Sequence, residues 1–148
     1  MANTRVQLEV EEWIRGNWLP IQFGQLFRKK QLKLVSGGSF EFDAVSEDGK
    51  IALVISTSGA RTSGGKQGSG KIMKIRADLY FLLLVHAKTR ALIFTERDMY
   101  EQFKKEQDAG RTPGEIKSYL AKIPDKLRQK LEASRRTSIA EVTSSKHL

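Results

Sequence analysis

Cysteine is absent from this 148-residue chain, which removes disulfide frameworks, thiolate nucleophiles and cysteine-ligated zinc from consideration. Histidine is scarce: His86 falls at a predicted strand end and His147 in the last residues, and no arrangement of Ser, His and Asp that would serve a hydrolase is legible around either. Long apolar runs are also missing. The longest, Leu79 to Val85, is far short of the roughly 20 residues needed to cross a bilayer. The first residues lack the basic-then-apolar pattern of a secretion signal. A cytoplasmic protein without a membrane partner is the expectation. Acidic residues are in deficit, 17 Asp and Glu against 26 Lys and Arg, for a net charge of +9. That balance favours a polyanionic partner, nucleic acid before others and DNA before RNA, although surplus lysine also serves solubility alone. The basic residues gather at Arg28, Lys29, Lys30 and Lys33, between Arg61 and Arg76, and between Lys122 and Arg136.

The length fits one domain, and the periodicities inside it are mixed. Val6, Val10, Trp13 and Ile14 recur at helical spacing, with Glu9, Glu11 and Glu12 in the early turns and Gly16 and Pro20 as limits. Leu32, Leu34 and Val35 predict a first strand that Gly37-Gly38 breaks. Ser39 to Ser46 and Ile51 to Ser58 flank Asp48-Gly49, the signature of a type I′ hairpin. That register pairs Val45 with Ala52, Asp43 with Val54 and Glu41 with Ser56, and alternation sets Glu41, Asp43, Val54 and Ser56 on one face. Ile72, Ile75 and Leu79 predict a helix after the Gly59 to Gly70 loop, with Lys71, Lys74 and Asp78 on its polar side. Tyr80 to Val85 and Arg90 to Phe94 read as strands. Thr95 with Asp98 predicts a capped helix, and Thr112-Pro113-Gly114-Glu115 the start of another, which Pro124 separates from a last one. Residues 111–142 are thus expected as a C-terminal helical extension packed on a 1–110 core, and 143–148 as a disordered tail.

The order helix, strand, hairpin, helix, strand, strand, with Phe-Glu-Phe-Asp at 40–43 and Ile-Ala-Leu-Val-Ile-Ser-Thr-Ser at 51–58, resembles the core of the PD-(D/E)xK, or restriction-endonuclease-like, nuclease superfamily. The resemblance implies an α/β fold with a mixed central sheet of about four or five strands flanked by helices. It also implies a magnesium site: an Asp on one hairpin strand, and on the next an acid and a lysine two residues apart. The carboxylates hold the ion against the scissile phosphate, and the lysine positions water and offsets charge. By position Asp43 matches the aspartate, while the acid falls on Val54 and the lysine on Ser56, neither of which can do that work.

Two readings therefore stay open beside each other. In one, the chain binds nucleic acid with a degenerate site, through Arg61, Lys66, Lys71 and Lys74 on the glycine-rich loop and the helix after it, and needs no cofactor. In the other, migrated groups rebuild a magnesium-dependent nuclease: Asp43 and Glu9 as metal ligands, with Glu41 and Lys71 joining Asp43 in catalysis. Each acid has a plainer alternative as a solvated surface group. A third expectation, from a different class, is a non-catalytic module that dimerises through C-terminal helices carrying Ile116, Tyr119, Leu120 and Ile123. Gly65 to Lys71 also spells GxxxxGK, but Ile72 replaces the Ser or Thr that phosphate loops require.

Overall fold

The computed structural model describes residues 4–61 and 68–146, the side chains of Thr4 and 137–146 excepted. Val6, Val10 and Ile14, four residues apart, line the buried side of α1 (Thr4–Trp13) and of the π-helical turn Ile14–Trp18 that continues it. The expected stop at Gly16 and Pro20 does not occur. Pro20 falls in α2 (Leu19–Phe23), which follows the π-helical turn directly, and Gly24 at φ 70° ends the segment instead.

Five strands lie side by side in chain order: β1 (Phe27–Lys33), β2 (Ser39–Ser46), β3 (Ile51–Ser56), β4 (Thr89–Phe94) and β5 (Ile116–Leu120). β1, β2 and β3 run antiparallel, and β3, β4 and β5 run parallel. Parallel neighbours need crossovers, supplied by α3 (Ser69–Leu84) and α4 (Arg97–Asp108). These helices cover one face of the sheet, burying Phe42, Val54, Leu82, Phe94 and Phe103. α1 and α5 (Asp125–Lys146) cover the other, burying Val10, Ala44, Leu53, Ile93 and Leu131. The α/β class and the five-stranded mixed sheet thus agree with expectation.

Several elements do not. Tyr80 to Val85 is no strand: Ile72, Ile75, Leu79 and Leu82 form one helical stripe, and Tyr80 and Leu83 on the same helix remain exposed. Thr112 to Glu115 opens no helix, because Ile116 is drawn into the core beside β4 and the chain runs on as β5. The stretch after residue 110 is therefore part of the sheet before it is helical, and Ile116 and Ile123 are core residues, unavailable for docking a second copy. α5 extends to Lys146, four residues into the expected tail. β1 begins and ends earlier than Leu32 to Val35, with its basic residues tolerated because one edge of the strand has no strand neighbour. No non-glycine residue among those described has positive φ, so the hairpin turn is not type I′. The Gly49 N–H donates to the Ser46 carbonyl at 2.9 Å, Gly49 sits at φ 73°, and Asp48 accepts from Ser46 Oγ and the Lys50 N–H. No helix among the described residues is long and apolar enough to cross a membrane.

Candidate functional site

Asp43 owes its position to an extra residue in β2. Arg28 pairs with Val45 and Lys30 with Phe42, so Asp43 and Ala44 together oppose the single residue Lys29. This bulge interrupts alternation. Phe42 faces α3 and packs in the same layer as Val54, whereas Ala44, an even number of residues later, faces the α1 side with Leu53 and Ile55. The expected face of Asp43, Val54 and Ser56 is accordingly not formed. The β2–β3 ladder pairs Val45 with Ala52, as predicted, and Ala44 with Leu53; neither Asp43 with Val54 nor Glu41 with Ser56 is a ladder pair. Beyond Ala44 the Asp43 side chain takes over from the backbone, with Oδ2 accepting the Ile55 N–H at 2.8 Å.

Charged groups from four elements surround this point. Arg15, in the π-helical turn, donates to the Asp43 carbonyl at 3.1 Å. Burial raises the Asp43 carboxyl above its ordinary range, and the Ile55 N–H and the charges of Lys74, Lys29 and Arg15 act against that rise. Glu11 on α1 is raised as well, first by burial and then by the negative charge of Asp43. Asp78 on α3 is raised by burial, with the Asp43 charge adding to it and Lys74, 3.4 Å away, opposing it. Asp43 itself forms no ion pair among the described residues, for Lys29 reaches Glu41 and Lys74 reaches Asp78.

The other predicted site residues divide. Lys74 joins the cluster; Lys71, exposed one turn earlier on α3, does not, and Arg61 is exposed beyond the end of β3. Lys66 lies outside the described residues. Glu41 is exposed at the β1–β2 edge, paired with Lys29 at 3.6 Å. Glu9 is not beside Asp43, since it meets Lys130 of α5 at 3.0 Å. Two positions along a helix turn by about 200°, so Glu11 is the α1 acid that faces Asp43 when Glu9 faces α5. Glu11, Arg15 and Asp78 escaped the sequence reading. Glu11 and Arg15 are four apart and border the Val10–Ile14 stripe, which was the available signal.

A second polar cluster stands at the ends of β3 and β4. Arg128 Nη1 and Arg135 Nη1 donate to the two oxygens of Glu96 at 2.6 and 2.7 Å, Thr95 Oγ1 donates to the same carboxylate, and the arginines also reach the Thr95 and Thr57 carbonyls. Burial alone would raise Glu96, but Arg135, Arg128 and Thr95 outweigh it and hold the carboxyl below its usual range. Thr95 is therefore not the cap of α4; Glu96 precedes that helix, and Asp98 instead accepts from the Met99 and Ala60 N–H groups.

As arranged, the Asp43 cluster does not fit a magnesium ion. β3 has no ionisable side chain, one Asp43 oxygen is engaged by the Ile55 N–H, and no group of three acids among the described residues is placed to hold a metal. No protein-family model, curated protein or solved structure matches the chain.

Proposed function

We propose that this chain is a nucleic-acid-binding protein of restriction-endonuclease-like fold whose metal site is degenerate. The order of elements from α1 to β4 supports the fold assignment, as does an aspartate where β2 and β3 part. The observation that carries the binding reading is the convergence of Arg15, Lys29 and Lys74, from three separate elements, on that point in a chain of net charge +9. Cations held by different parts of a scaffold keep their spacing, which suits them to successive phosphates. DNA is favoured over RNA, and no cofactor is required.

The test is a titration of labelled duplex and single-stranded DNA and RNA across salt concentration, run beside a cleavage assay with Mg²⁺ or Mn²⁺. Binding that weakens steeply with salt and no cleavage are expected. Absence of binding at low salt would end the proposal. Metal-dependent cleavage that disappears in Asp43→Asn would replace a degenerate site with an active one.

A further inference from the structure

The densest run of positive charge is a strand, not the loop or helix ends where phosphate contacts are commonly sought. β1 carries Arg28, Lys29, Lys30 and Lys33 within seven residues, all exposed, on the strand that forms one edge of the sheet. Phe27 and Leu32 anchor it, one to each apolar layer. Alternation then places Arg28 and Lys30 on the Leu32 side of the edge and Lys29 and Lys33 on the Phe27 side. Among the described residues Arg28, Lys30 and Lys33 make no ion pair. Lys29 has only Glu41, at 3.6 Å with the two side chains 40% and 54% exposed, an attachment that a phosphate can displace at little cost.

We infer that β1 is a rail for the phosphate backbone of a nucleic-acid duplex, gripping it without regard to sequence. The inference rests on the proposed binding function and assigns it a surface. A strand rises about 3.3 Å per residue, so Arg28 to Lys33 spans roughly 16 Å, enough to follow one strand of a duplex past about two or three consecutive phosphates. Long side chains reaching from both sides of a rigid edge can meet that row of phosphates. The rail is continuous with the Asp43 cluster, because Lys29 belongs to both. Single strands are disfavoured because base stacking needs exposed rings, and the aromatic ring of β1, Phe27, packs edge-on against Phe23.

Lysine on an edge strand also blocks sheet-to-sheet association, and exposed Ile21, Leu26 and Val35 near the ends of β1 would suit an anionic lipid surface. The experiment separates these. Full-length R28Q/K29Q/K30Q/K33Q is compared with a charge-matched C-terminal variant, K122Q/K126Q/K130Q/R136Q, by anisotropy on two short duplexes of unrelated sequence over a salt series. The β1 variant is expected to lose at least tenfold in affinity for both duplexes alike, and its slope of log K against log salt is expected to fall by about 2 to 3. Single variants K30Q and K33Q, which guard against misfolding of the quadruple, are each expected to lower the slope by about 1. Unchanged duplex binding in the β1 variants overturns the rail while leaving the proposed function standing. Equal losses in both quadruple variants overturn it in favour of bulk charge. Self-association by sedimentation with unchanged duplex affinity makes β1 an edge guard only. Binding to phosphatidylserine vesicles that depends on β1, without duplex binding, makes it a lipid surface. A wild-type protein that binds no duplex at low salt defeats the proposed function itself.

Discussion

Asp43 and Glu96 are both half-enclosed carboxylates among cations, yet their acidities move in opposite directions. Glu96 has a guanidinium on each oxygen and a hydroxyl besides, and these direct bonds outweigh the cost of enclosing its charge. Asp43 receives a backbone N–H and feels Lys74, Lys29 and Arg15 only at a distance, and its own negative charge raises Glu11 and Asp78. Against the burial of Glu96 the Arg135 charge leads and the bonds from Arg128, Arg135 and Thr95 add to it, whereas among the described residues no cation bonds the Asp43 carboxylate. The Glu96 network ties α5 to the ends of β3 and β4 and works for the fold. Burial makes the charged form of Asp43 costly, and its neighbouring cations Lys29 and Lys74 are engaged with Glu41 and Asp78.

The largest test of this contrast is Glu96→Ala. Removing the carboxylate strands two arginines that are each about a third exposed, and a loss of about 2 to 4 kcal/mol is expected by denaturant unfolding. Because the folded-state pKa of Glu96 is depressed, its contribution is complete above the ordinary glutamate range and is lost as pH falls through the folded value. Asp43→Asn should do the reverse on a smaller scale. Asparagine keeps an acceptor for the Ile55 N–H but carries no charge, so the variant should melt a few degrees above wild type at neutral pH. Since the folded-state pKa of Asp43 is raised, the charge penalty is absent at low pH and appears as pH rises from the unfolded aspartate value through the folded one. The two melting temperatures should therefore converge in acid, and a variant less stable than wild type at neutral pH would assign Asp43 to the fold. The smallest effect is expected from Lys74→Gln: NMR titration should show Asp43, Asp78 and Glu11 moving further upward while Glu96 stays in place.

Much of the hairpin was legible because Asp-Gly between two β-rich runs admits few registers, and Val45 does face Ala52. The bulge was not. Phe-Glu-Phe-Asp-Ala-Val alternates well enough as written, and its extra residue becomes visible only against β1 and the two apolar layers. Leu79 to Val85 misled because six or seven adjacent apolar residues fit a buried strand as well as a helix; the phase set by Ile72 and Ile75 decided it. Thr-Pro-Gly-Glu carried a correct local preference that β4, needing a neighbour, overrode. At the site, Asp43 was found from strand spacing and Lys74 from the polar side of its helix. Glu11 and Asp78 were missed as site residues because their roles depend on which helix faces lean toward the sheet, information that exists only after packing.

The bulge also determines where this chain tolerates editing. Length changes are ordinarily absorbed at loops, but a one-residue deletion at Asp43 would leave Phe42, Ala44 and Val45 in plain alternation, each on the layer it already occupies, against Lys30, Lys29 and Arg28. Removing Glu41 instead would make Phe40 and Phe42 adjacent and turn Phe40 away from Phe81 and the α3 layer. Mid-strand, the bulge is therefore where β2 can lose a residue and keep its layers.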